Sequence, residues 1–196
     1  MKFSTVCVFC GSSRGVRAEY AQAAALMGRT LARQHITLVY GGSGIGLMGI
    51  MARSALELGG RVTGIITSDL KQQTAHLEVS ELVVTSSMHE RKAAMYARSD
   101  AYIALPGGIG TMDELFECLV WNQLGIHTKP VGLLNTCGFF DPLIAWLEHI
   151  TAEQFMQPEH LDMLVSREDP ELLVDALEST APEHHPKWAG LPESGV

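Results

Sequence analysis

The run Ala101-Tyr102-Ile103-Ala104-Leu105 is apolar throughout; Pro106-Gly107-Gly108-Ile109-Gly110 interrupts it, and a helix-period segment opens at Thr111. An unbroken apolar strand suits a parallel sheet buried on both faces, because a sheet with one wet face would alternate apolar and polar residues. The same strand–loop–helix order recurs to either side. Strand-like runs read at about 5–9, 36–40, 61–66, 82–85, 101–105 and 130–134. Helix-period segments read at about 17–34, 47–58, 87–99, 111–124, 141–154 and 170–177. This alternation predicts an α/β fold: one Rossmann-like, doubly wound parallel sheet flanked by helices. It occupies residues 1–179, with a Pro-rich tail over 180–196 marked by Pro182, Pro186 and Pro192, and no internal repeat is visible.

The composition narrows the function. The chain has 196 residues, 46% hydrophobic and 18% charged, enough for one well-filled domain. Its 14 basic and 22 acidic residues leave a formal charge of −8. That argues against general nucleic-acid or anionic-membrane binding, which needs a basic surface. Met1-Lys2-Phe3-Ser4 does not open a signal peptide, and no apolar run approaches the roughly 18 residues of a spanning helix. A cytoplasmic protein is expected. Cys7 and Cys10 have a C-x-x-C spacing. On a strand, however, residues three apart face opposite ways, so the four cysteines read as core thiols. The eight histidines are scattered, His184-His185 falling in the tail, and no metal site is expected.

In a doubly wound sheet, ligands bind beyond the carboxyl ends of the strands. Three loops there are unusual: Cys10-Gly11-Ser12-Ser13, the segment from Gly41 to Gly49, and Pro106-Gly107-Gly108-Ile109-Gly110-Thr111. Glycines permit close backbone approach, and the helix that follows offers free N–H groups to an anion. Gly44-Ile45-Gly46-Leu47-Met48-Gly49 fits G-x-G-x-x-G, with Asp69 20 residues further on. It follows the second strand rather than the first, and a dinucleotide reading leaves the other Gly-rich loop unexplained. Two such loops favour a phosphate-bearing ligand over plain tight turns.

Ser87-x-x-Glu90 reads as a capping box, and Arg91-Lys92 follow it in the first turn, where cations oppose the helix dipole. A fixed anionic partner explains that placement better than a solvated basic patch. Thr111-Met112-Asp113-Glu114 reads as a second capping box. Glu114 then either caps the helix or stands beside the loop as a carboxylate able to orient water or steady a developing cation. Neither reading excludes the other.

Pro106-Gly107-Gly108-Ile109-Gly110-Thr111-Met112-Asp113-Glu114 matches PGGxGTxxE, and Met88-His89-Glu90-Arg91-Lys92 lies upstream. Together with Phe9–Ser13, the loop from Gly41 to Gly49 and Gln123-Leu124-Gly125-Ile126-His127, these motifs resemble the LOG ("Lonely guy") family over about residues 3–155. Members are phosphoribohydrolases of cytokinin riboside 5′-monophosphates, often mislabelled lysine decarboxylases. No lysine here is placed to form a Schiff base, so a decarboxylase is rejected. The resemblance implies hydrolysis of an N-glycosidic bond to free base and ribose 5-phosphate, without metal or cofactor. It makes Arg91 and Glu114 the catalytic pair. Substrate binding falls to Lys92, Gly107, Gly108, Ile109, Gly110, Thr111, Met112 and Asp113, with Gly42, Gly44, Gly46, Ser12, Gln73 and Met88 beside them. Gln73, Thr67 and Val120 replace the Glu, Pro and Thr frequent in relatives, which bears on the base rather than on phosphate or ribose. The family further implies a homodimer, for which Trp121, Leu124 and Ile126 offer an apolar patch. Two alternatives remain: a general AMP or purine nucleotide nucleosidase, and a non-catalytic carrier of a phosphorylated cofactor such as molybdenum cofactor. Keeping both Arg91 and Glu114 favours an enzyme.

Overall fold

Seven strands pair in parallel in the order β4-β3-β2-β1-β5-β6-β7. They are β1 Thr5–Phe9, β2 Thr37–Tyr40, β3 Val62–Thr67, β4 Glu81–Thr85, β5 Ala101–Ala104, β6 Val131–Leu134 and β7 Leu164–Arg167. The helices between them are α1 Ala18–Arg33, α2 Gly46–Leu56, α3 Ser68–Gln73, α4 Met88–Ala97, α5 Ile109–Gln123, α6 Asp141–Ala152, α7 Pro158–Asp162 and α8 Pro170–Ser179. The structure, a computed structural model, describes residues 2–75 and 77–180. The proposed tail lies almost wholly outside the described residues. No helix among the described residues is long and apolar enough to cross a membrane.

The sheet carries a core on each face, as its continuous apolar strands require. On one side Val6, Val8, Leu38 and Tyr40 pack under Met27, Leu31, Met51 and Leu173 of α1, α2 and α8. On the other, Cys7, Phe9, Val39 and Tyr102 pack under Met95, Tyr96, Leu115 and Cys118 of α4 and α5. Cys7 and Cys10 fall in opposite cores and burial pushes both thiols up, which removes any redox pairing. Cys137 departs from the core reading: it is exposed, at φ 55 in the short 3-10 turn Thr136–Gly138.

Three elements carry no sequence period. β7 is a four-residue edge strand, half-buried, that exists by pairing with β6 from Val131↔Leu164 to Leu134↔Arg167. Helix α3 buries none of its six residues and is started by Thr67, whose side chain accepts from Leu70 N at 3.3 Å. Helix α7 is five residues long and has only His160 buried. The strand order reverses between β1 and β5, so the crevice for a ligand opens between the loops that follow them.

Candidate active site

The loops after β1 and β5 meet over this reversal. Gly11 N donates to Pro106 O at 3.1 Å, and Leu105 N donates to Phe9 O at 2.9 Å. The Gly-rich loop after β2 lies beneath them. Leu47 N, in the first turn of α2, donates to Gly11 O at 3.0 Å. Gly46 sits at φ +59 against the Ser12 backbone, where a Cβ would collide with the Ser12 carbonyl carbon. Gly42 packs on Ile65 and Ile66, while Gly44 donates to Ala75 O at 2.7 Å and accepts from Arg53 Nη1 at 3.1 Å. Gly46 therefore supports the first loop, Gly42 packs on β3 and Gly44 ties its own loop to Ala75 and Arg53, and none of the three is on the wall of the cleft described next.

That cleft holds about 260 Å³ and is lined by Cys10, Gly11, Ser12, Met48, Met88, Arg91, Gly108, Ile109, Gly110, Thr111, Asp113 and Glu114. Its floor is the start of α5. Gly108 is the N-cap, in extended backbone with no side-chain cap, and the first helical bond runs from Met112 N to Gly108 O at 3.2 Å. The second capping box is thus not formed. Thr111 is the third helical residue, buried against Gly107, and Glu114 lies beyond the first turn. A Cβ on Gly108 or Gly110 would meet nothing within 4 Å, so the uncapped helix start faces open space. Exposed first-turn N–H groups at such a start favour an anion.

Helix α4 supplies the opposite wall. Ser87 accepts from Glu90 N at 3.2 Å, but the Glu90 carboxylate reaches back to Ser86, accepting from its N at 2.9 Å and its Oγ at 2.7 Å. These bonds hold the exposed Glu90 carboxyl below its ordinary range. Arg91 is 6% exposed and Glu114 9%. Arg91 Nε donates to Ile65 O at 3.0 Å, and Nη1 donates to Glu114 Oε1 at 2.9 Å. Burial raises the Glu114 carboxyl above the usual range, with the Arg91 charge opposing that rise. Arg91 is thus no solvated surface cation, and its partner is within the chain.

Lys92 turns the other way. Its Nζ lies 3.1 Å from Asp113 Oδ2 and 3.0 Å from Glu117 Oε2, tying α4 to α5 outside the cleft wall. Burial works to lower its pKa, but the bonds it donates to the Glu117 and Asp113 carboxylates, and their charges, outweigh that and raise it. Tyr96 donates to Glu117 Oε2 at 2.6 Å on the same side. Met112 packs against the core, and Gln73 is exposed at the end of α3, on neither cleft. Gly107 lines an adjoining cleft of about 250 Å³ with Arg14, Tyr20 and Phe139. Sequence reasoning left Cys10, Gly11 and Met48 out of the site; all three stand in or beside the Gly-rich motifs, which is the signal that could have included them. Arg14, Tyr20 and Phe139 carry no such signal.

The arrangement can seat an anion at the start of α5 and present a buried carboxylate, oriented by a guanidinium, to whatever is attached to that anion. The chain is similar to proteins of known families. A family model described as possible lysine decarboxylase matches residues 48–177; no lysine lines either cleft. A probable cytokinin riboside 5′-monophosphate phosphoribohydrolase of Oryza sativa subsp. japonica is 47% identical over 183 residues, covering 92% of this chain and 80% of the relative. A cytokinin riboside 5′-monophosphate phosphoribohydrolase of Arabidopsis thaliana is 45% identical over 184 residues, covering 93% and 86%. Among solved structures, the molybdenum cofactor binding protein of Rippkaea orientalis superposes with a TM-score of 0.69 at 23% identity, covering 91% of this chain and 98% of that one. That last likeness is one of fold.

Proposed function

The chain belongs to the family of cytokinin riboside 5′-monophosphate phosphoribohydrolases, and from that membership we propose that it hydrolyses the N-glycosidic bond of such nucleotides to free base and ribose 5-phosphate. The observation that carries this reading is the buried Arg91–Glu114 pair on the wall of the cleft whose floor is the uncapped start of α5. The 5′-phosphate docks on the first-turn N–H groups of α5, in the space left by Gly108 and Gly110. The ribose then extends toward Glu114. As the bond from C1′ to the base nitrogen breaks, its electron pair leaves with the base and C1′ gains positive charge. The Glu114 carboxylate steadies that charge and orients the attacking water. Water oxygen bonds to C1′, and its proton ends on the base. Arg91 fixes Glu114 and contacts the substrate. Lys92 acts through Asp113, which it holds at the cleft. The base lies toward Met48 and Met88, whose thioether side chains suit a flat apolar ring.

A homodimer accompanies this reading. The outer face of α5 exposes Val120 and Leu124, with Ile126 and Trp146 beside them, and Ile109 is 89% exposed at the cleft rim. Apolar surface of this kind suits a protein partner. Light scattering at micromolar concentration should give twice the monomer mass; a monomer removes the claim. The net charge of −8 argues against a nucleic-acid partner.

The activity is tested by incubating the pure protein with AMP, isopentenyladenosine monophosphate and the two matching nucleosides, with free base followed by chromatography. Base should be released from the monophosphates and hardly at all from the nucleosides. Equal turnover of adenosine and AMP would sink the phosphate assignment. Binding of both monophosphates without release would make the protein a carrier.

A further inference from the structure

Gly41 follows β2 and begins the Gly-rich loop, yet its φ lies outside the left-handed region, so its backbone does not require glycine. The space around it does. A Cβ built on Gly41 would collide with Arg91 Nη2 and lie 3.1 Å from Met48 Sδ. The Arg91 guanidinium is thus placed on three sides: Nε on the Ile65 carbonyl at 3.0 Å, Nη1 on Glu114 at 2.9 Å, and Nη2 over the bare α-carbon of Gly41. Ile65 lies within β3, the immediate neighbour of β2, so the guanidinium rests beside the end of β2 and against β3.

We propose that Gly41 is a positioning residue for the reaction: its missing side chain is the room in which Arg91 turns toward Glu114. The proposal rests on the catalytic roles given above to Arg91 and Glu114. Ala is compatible with the backbone at Gly41, and the atoms in the way are the far ends of two flexible side chains. A methyl group there would push Nη2 aside rather than unfold the chain. Misplacement of a reacting group by about 1 Å costs on the order of 100-fold in rate.

The test is a double-mutant cycle on the full chain with AMP as substrate. Gly41→Ala should lower kcat by roughly 30-fold or more and change KM by less than about 3-fold, because the phosphate site at α5 is untouched. In the Arg91→Lys background, which lacks the Nη2 edge, Gly41→Ala should cost less than about 3-fold further. A Gly41→Ala protein with wild-type kcat, or one whose loss is undiminished in the Arg91→Lys background, overturns the proposal. Thermal melting gives a readout besides activity. If the methyl collides only with Arg91, Gly41→Ala should lower the Tm in the wild-type background, and the Tm of Gly41→Ala/Arg91→Ala should fall within about 2 °C of that of Arg91→Ala alone. An equal loss in both backgrounds would make Gly41 a packing glycine. If Arg91→Lys itself keeps full turnover, the catalytic assignment fails; if it loses turnover while Gly41→Ala does not, only the Gly41 proposal fails.

Discussion

Arg91 Nη1 donates to Glu114 Oε1 across 2.9 Å, from helix α4 to helix α5, at a separation of 23 residues. Both side chains are about nine-tenths buried, yet both border the cleft. A buried ion pair is weak evidence for stability, because desolvating two charges offsets most of their attraction. In the proposed reaction, its position beside an uncapped helix start gives it a use that stability alone does not supply.

Arg91→Lys keeps the charge and should still lose turnover by about 100-fold or more. An ammonium cannot donate to the Ile65 carbonyl and the Glu114 carboxylate in the same plane, whereas the guanidinium fork does. Steady-state kinetics on AMP decide the point, and near-normal kcat would return Arg91 to a structural role.

Glu114→Gln should fold, bind nucleotide and be nearly inactive. The amide oxygen can still accept from Arg91 Nη1, so the stability loss should stay within about 1–3 kcal/mol. The lost charge should cost about 100-fold or more in kcat, with KM changed little. Denaturant melts and kinetics on the same preparation separate the two effects. Normal release of base from a stable Glu114→Gln protein would move the chemistry elsewhere.

The acid limb of kcat/KM, which reports the free enzyme, should lie above the ordinary carboxylate range of about 4.3. Burial raises the Glu114 carboxyl more than Arg91 lowers it, and the ionised form is the active one in the mechanism given. This kcat/KM should therefore rise with pH through a pKa above that range. A pH–rate profile flat down to about pH 4 would show that Glu114 is not the titrating group.

His127 predicts a pH effect on stability rather than on rate. Burial, with help from the Lys129 charge, lowers its pKa to about 4, and its Nδ1 accepts from Lys129 N at 3.2 Å. The unfolded chain takes up this proton near pH 6.5 and the folded chain only near pH 4. The contribution is present above about 6.5 and is lost as the pH falls through that window. His127→Asn keeps an acceptor and does not titrate, so its Tm should fall less between pH 7 and pH 4 than that of the wild type. Parallel Tm curves would remove His127 from the account.

The legible parts of the molecule were those with a local period or a local conformational demand. β5 and the loop after it could be read because five apolar residues followed by Pro and three glycines allow few other structures. β7 could not be read, because Leu164-Val165-Ser166-Arg167 becomes a strand only by pairing with β6. α5 starts at Ile109, two residues before the Thr111 that the sequence pattern predicts. Thr111-x-x-Glu114 fits a capping box locally, but Thr111 packs against Gly107 and Glu114 is drawn to Arg91 instead. The family resemblance places Lys92 and Gln73 at the site; in the fold Lys92 is held by Asp113 and Glu117, and Gln73 ends an exposed helix.

The sequence by itself determined the alternation of six strands with six helices, the parallel sheet this implies, and the Gly-rich loop that leads into a helix after β5. All of these follow from periodicity and backbone freedom, which act over a few residues. Only the tertiary structure decided which candidate side chains meet. Whether Glu114 caps its own helix or faces Arg91, whether Lys92 enters the cleft, and why residue 41 has no side chain depend on contacts between segments 20 to 50 residues apart. Those contacts are set by how α4 and α5 pack on the sheet, and adjacent positions such as Arg91 and Lys92 turn to opposite sides of that packing.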